Sequence, residues 1–158
     1  MNLISLQAAV VLTDRSERTL WRMIADGSVT RTVENGKALI DLHSLAPSLC
    51  VPLDADDYAL VIKADQGDAS AQTDLALIFF SHGKTKGAIY WLEQAGKQGF
   101  PEAMNWLGHC YVAGNGVGKD EATGLAWLGK AAALGHVISK AQISGVVYGR
   151  VNQPMPNS

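Results

Sequence analysis

The stretch most suggestive of chemistry is AGNGVGKDEA, residues 113–122, where three glycines and a lysine fall close together. A phosphate-binding loop of the Walker type requires GxxxxGK followed by Ser or Thr, between a strand and a helix, so that backbone N–H groups converge on one anion. Here Gly118-Lys119 is followed by Asp120, and a helical pattern ending in HCYVAG precedes it. A carboxylate would repel phosphate where a hydroxyl should meet magnesium, so no nucleotide is expected. As a helix-to-helix connection the stretch makes better sense. Gly114 and Gly116 permit positive φ angles, Val117 turns back onto the core, and Asp120 caps the helix that follows.

The remaining reactive side chains do not converge in the sequence. His43, His82, His109 and His136 are dispersed, without HExxH spacing or a paired carboxylate. Cys50 and Cys110 have neither CxxC nor Cys/His spacing, so no metal is expected. Cys110 sits between His109 and Tyr111 in a segment that must pack, which makes it a buried, inert thiol. Ser16 and Ser81 have no local base or oxyanion-type glycine motif. The expectation is a non-enzymatic chain with no cofactor.

At 158 residues, 47% hydrophobic and 18% charged, with a formal net charge of −2, the chain reads as globular, with room for one ordinary domain or two small ones. No global charge draws it to nucleic acid or membrane. The apolar run 8–12 is far too short for a bilayer and MNLISLQ lacks a basic leader segment, so no membrane contact is expected. Two cysteines cannot build a disulfide framework, and the expected setting is the reducing cytoplasm.

The elements that must position these residues fall into two grammars. In SLQAAVVLTDRSERTLWRMIADGSV, Leu6, Ala9, Val10 and Leu12 give one helical pattern an apolar face, and Leu20, Trp21 and Ile24 give a second, with Trp21 on its inner side. Asp14 or Ser16 can cap the second helix and Gly27 ends it. VTRTVENGKALIDL then alternates around Asn-Gly, the strongest short-range hairpin signal. Ala8, Ala9 and Leu12, the stretch SERTLWRMIADG and the stretch IDLHSL together resemble the winged helix-turn-helix of the MerR and excisionase-like families. The resemblance implies a second helix in the DNA major groove, with Arg15, Ser16, Arg18, Thr19 and Arg22 facing the groove and Lys37 on the wing. Residues 1–45 nevertheless hold five basic and five acidic groups. Phosphate neutralisation supplies most nonspecific affinity, so this balance equally suits a module used for protein contact or dimerisation.

From Asp56 onward the chain repeats. At an offset of 32, Gly67 falls on Gly99, Ala71 on Ala103, Leu75 on Leu107, Ala76 on Gly108 and Phe79 on Tyr111. At an offset of 36, Ala88 falls on Gly124, Trp91 on Trp127, Leu92 on Leu128, Ala95 on Ala131 and Gly99 on Gly135. Small residues let paired helices approach, while Leu75, Leu107, Trp91 and Trp127 fill the space between one pair and the next. The rhythm of Gly99, Ala103, Leu107, Gly108 and Tyr111, then Gly114, Gly116, Val117 and Asp120, then Trp127, Ala131, Ala132 and Gly135, resembles the Sel-one-like repeat, a tetratricopeptide-like α-solenoid. The upstream copy has a loop four residues shorter, and DDYALVIKADQG stands as the second helix of a truncated first repeat, with Leu60 in the place of Leu92 and Leu128. About six helices are expected.

Equivalent positions separate packing from function. Trp106 falls on Asp74, Asn105 on Thr73 and His109 on Leu77. A position that takes both Trp and Asp is expected at the surface, and an exposed Trp is an anchor for partners. The first helices of successive solenoid pairs line the concave side, so Asp74, Leu77, Asn105, Trp106 and His109 are the candidate partner-binding residues.

The expected fold is thus mostly α: a winged helix-turn-helix with a small β-hairpin at 1–45, a linker at 46–55, an α-solenoid at 56–150 and a flexible tail at 151–158. The expected function is a cytoplasmic adaptor or regulatory protein. Its solenoid would bind a protein partner, and its N-terminal module would attach to protein, to a second copy or to double-stranded DNA. The alternative is a sequence-specific DNA-binding transcriptional regulator, with the repeats receiving a signal or forming a homodimer.

Overall fold

Strand β1 (Leu3–Ser5) runs directly into α1 (Leu6–Thr13), and Ser5 is both the last residue of the strand and the cap of the helix, its Oγ accepting from the Ala8 N–H at 3.1 Å. The computed structural model describes residues 2–135. A short turn leads to α2 (Glu17–Ala25), capped by Ser16. The hairpin of β2 (Arg31–Glu34) and β3 (Lys37–Asp41) follows, and a 3-10 helix spans Leu42–Ser48. The hairpin turns at Asn35-Gly36, both with positive φ, 51° and 76°, as the tight turn demanded by the strand twist requires. The order helix, turn, helix, hairpin is therefore present. Strand β1, not expected from the sequence, completes an antiparallel sheet in the order β1-β3-β2, with Ile4 opposite Ile40.

Five further helices complete the described chain: α3 (Ala55–Asp65), α4 (Ala69–Ser81), α5 (Thr85–Lys97), α6 (Pro101–Ala113) and α7 (Glu121–Ala133). Carboxylates cap three of them: Asp54 on α3, Asp68 on α4 and Asp120 on α7. Neighbours pack in sequence as antiparallel-type hairpins, α4 on α5, α5 on α6 and α6 on α7. Ala71, Leu75, Ala76 and Phe79 of α4 are buried, as are Ala103, Leu107, Gly108 and Cys110 of α6. Trp91 is buried between pairs, its ring edge-on to Tyr90, and among the described residues its indole N–H has no partner. Trp127 departs from that pattern: it is only half-buried, with the Lys130 ammonium 4.8 Å from its ring centre. Leu60 is likewise half-buried, because Tyr58, Val61 and Ala64 supply the buried face of α3. The remainder of the expected solenoid, 136–150, including His136, and the tail expected at 151–158 lie outside the described residues.

Residues 46–55, read from the sequence as a linker, are packed in part: Leu49, Cys50 and Leu53 lie against the core, while Ala46, Pro47 and Pro52 are exposed. Val51 is buried, and the Cys50 N–H donates to the Leu12 carbonyl at 2.8 Å. Pro47 lies inside the 3-10 helix, and Leu45 and Val51 on either side of it find burial in the same core. One hydrophobic cluster consequently runs from Ile4 through Val51 and Trp91 to Cys110. Asp65 at the end of α3 fastens the halves, accepting from the Ser5 N–H at 2.7 Å and the Ser5 hydroxyl at 2.6 Å. No helix among the described residues is long and apolar enough to cross a membrane.

Candidate partner-binding site

The face shared by α4 and α6 carries the candidate residues. With one residue every 100°, the inward stripes 71, 75, 76, 79 and 103, 107, 108, 110 turn positions 74 and 106 outward. Asp74 is exposed, and Trp106 keeps 37% of its surface. The Trp106 ring lies 6.1 Å from that of Phe80 on α4, tilted by 31°, so the two first helices meet there through aromatic surface. Leu77 and His109 are half-buried on the same helices. Asn105 is different. It is only 7% exposed, like its counterpart Thr73 at 0%, and so offers less surface than the other four candidates. Thr73 shows how a polar group is accommodated at this position: its hydroxyl donates to the Ala69 carbonyl one turn back, at 2.9 Å.

Another polar pair was missed in the sequence. Gln72 is buried, its amide donates to the Ala64 carbonyl at 2.9 Å, and its own carbonyl accepts from Gln98 at 2.9 Å. It thereby ties α3, α4 and the end of α5 together. Nothing in the repeat rhythm marks it, since glutamine at this spacing equally suits a solvated face.

The residues assigned to a DNA-reading role lie on the first module. Arg15, Arg18, Arg22 and Lys37 are exposed, Ser16 is exposed and Thr19 half-buried. The Ser16 and Thr19 hydroxyls bond each other at 2.9 Å, and Ser16 also caps α2, so both are engaged locally. Trp21, expected on the inner side, is 38% exposed, because Leu20, Met23 and Ile24 already fill the inward stripe of α2. Its indole N–H donates to Glu17 at 3.4 Å and the Arg31 guanidinium lies 5.5 Å from its ring.

Reactive groups remain dispersed. His43 packs edge-on to Tyr58, and His82 bonds the Ile78 carbonyl at 3.0 Å. Among the described residues no three His, Cys, Asp or Glu side chains are grouped to hold a metal. Burial pushes the Cys110 thiol up to about 11, so it stays protonated at neutral pH. Burial also raises Cys50, with Asp14 adding to the rise and Lys84 opposing it; this places α1 and the α4–α5 turn within electrostatic reach of one thiol.

In the glycine-rich loop, Gly116 has φ 77° and a Cβ there would stand 2.9 Å from the Thr85 carbonyl, so the loop rests directly on the start of α5. Val117 packs on the core. Asp120 accepts from the Thr123 hydroxyl at 2.7 Å and its N–H at 3.1 Å, and these bonds hold its carboxyl below the ordinary value. The loop is built as a connection between helices.

The Sel1 repeat model matches residues 69–100 and 101–136, which are the α4–α5 and α6–α7 hairpins. A crystal structure of a Sel1 repeat protein from Oxalobacter formigenes is 31% identical, with a TM-score of 0.55, over 65% of this chain and 80% of that one. The chain belongs to the Sel1 repeat family. No curated protein matches it. Sel1 repeats generally mediate protein–protein interaction and are generally non-enzymatic scaffolds. The two matched repeats differ in their connections. Residues 82–84 alone join α4 to α5, whereas 114–120 join α6 to α7, and Lys84 stands at the start of α5 with no side-chain cap.

Proposed function

We propose that this Sel1 repeat protein is a non-enzymatic adaptor that binds a protein partner on the α4–α6 face, around Trp106 with Asp74, Leu77 and His109. The observation that carries the proposal is the exposed Trp106 ring leaning on Phe80 of the preceding repeat. A large aromatic kept partly in water is costly to a monomer and is the residue type most enriched at binding hot spots. The first module, residues 1–45, supplies a second attachment, and the chain works in the cytoplasm, where its two unpaired cysteines stay reduced. Affinity capture with the full chain tests this. Trp106→Ala loses the captured partner while Arg18→Ala with Arg22→Ala retains it; retention by both variants would overturn the proposal.

A second reading has its own support. The exposure of Arg15, Arg18, Arg22 and Lys37 on a helix-turn-helix with a hairpin suits a winged helix that binds double-stranded DNA as a regulator, with the repeats forming a homodimer or receiving a signal. A labelled duplex shifted at moderate salt by the wild type, and not by Arg18→Ala with Arg22→Ala, selects it over the adaptor.

A further inference from the structure

Between the two halves lies a cleft of about 680 Å³, lined by the α1–α2 turn on one side and the short α4–α5 turn on the other. Its accessible floor is apolar: Val10 and Val11 of α1 and the ring of Tyr90 of α5, with the fully buried Phe79 of α4 beneath. Three cationic side chains border it, Arg15 from the first module and Lys84 and Lys86 from the repeats, against the single carboxylate of Asp14. Among the described residues none of the three cations forms an ion pair. Positive charge is thus gathered in one concave place on a chain of net charge −2. None of Asp74, Leu77, Trp106 and His109 lines this cleft, so it is distinct from the α4–α6 face.

We propose that the cleft binds an acidic peptide segment of a partner protein, with an apolar side chain of the segment on the Val10, Val11 and Tyr90 floor and flanking carboxylates on Arg15, Lys84 and Lys86. Charge complementarity selects the sign of the ligand, since unpaired cations beside one carboxylate gain most from an incoming anion. The apolar floor selects a peptide over nucleic acid. A duplex presents sugar and phosphate to such a cleft and would leave Val10, Val11 and the Tyr90 ring against polar groups. The size is that of a side-chain or small-ligand pocket, which one residue with its neighbours fills.

Fluorescence anisotropy of the full-length protein with a labelled Glu-Glu-Leu-Glu-Glu peptide at low salt tests the proposal. Binding is expected to weaken as salt rises and to fall about tenfold in Lys84→Glu with Lys86→Glu. Lys86→Gln alone, at an exposed side chain, is expected to reduce it about threefold. Trp106→Ala leaves it unchanged, which separates this site from the α4–α6 face. Equal binding of a Gln-Gln-Leu-Gln-Gln peptide, unchanged binding in both lysine variants with wild-type melting curves, or preferential binding of a short DNA duplex at the same residues would each overturn it.

Discussion

Between α6 and α7 the helices cross over Gly108 and Gly124, whereas between α4 and α5 the equivalent positions hold Ala76 and Ala88, both buried. A Cβ on Gly108 would come within 2.5 Å of Leu128 and 2.9 Å of the Gly124 carbonyl, so the second hairpin admits no methyl where the first contains one. The connections differ in the same sense. The second has a long loop whose Asp120 closes the next helix, and the first has three residues and a lysine at that place. One repeat is closed on itself; the other leaves the first turn of α5 open toward the N-terminal module. Shortening a repeat loop therefore does more than remove residues: it takes away a cap and uncovers a cleft.

The largest test of this comparison is at the paired tryptophans. Trp91→Ala, at a ring buried between hairpins, is expected to cost about 3 to 5 kcal/mol in urea denaturation, and Trp127→Ala, at a half-buried ring, about half as much. Equal losses would mean that the two positions are packed alike. Next is the helix crossing. Gly108→Ala is expected to cost about 1 to 3 kcal/mol by overpacking against Leu128, while Ala76→Gly in the first hairpin costs about 1 kcal/mol through helix propensity.

The caps give smaller effects. Asp120→Ala lowers the melting temperature at neutral pH. The Asp120 carboxyl is depressed in the folded protein, so its stabilisation is fully present above the unfolded value and is lost as pH falls through the folded one. The gap between wild type and variant therefore closes in acid, and a gap that stays constant with pH would remove the cap from the account. The smallest change is the converse one: Lys84→Asp supplies α5 with the carboxylate that α7 has, and is expected to add about 0.5 to 1 kcal/mol of stability.

Much of the repeat scaffold was legible because its signal is local and stated twice. Leu75 and Leu107, Ala71 and Ala103, and Ala95 and Ala131 are all buried where the small and large rhythm placed them. The hairpin was legible from Asn35-Gly36 for the same local reason. What escaped is non-local. Strand β1 has three residues and exists through its pairing with β3, and the Ser5 to Asp65 bonds join positions sixty residues apart. Trp21 was misplaced because residues 20 and 21 differ by only 100° around the helix, and two adjacent apolar residues do not say which one faces inward. Asn105 was misplaced by comparing types alone: Thr73 and Asn105 are both polar, yet both are buried. The charged cleft could not be read at all, since Arg15 and Lys84 meet only when the two halves share a core.

Site-specific crosslinking on the α4–α6 face tests the proposed partner-binding site most directly. A photoreactive p-benzoylphenylalanine at position 74 of the full chain, exposed beside Trp106, is expected to give one discrete adduct with a partner protein in extract of the source cells. The adduct should vanish when Trp106→Ala is added, and the same probe at exposed position 126 of α7 should give none. Adducts of equal yield from both positions, or an adduct at position 74 indifferent to Trp106→Ala, would contradict it.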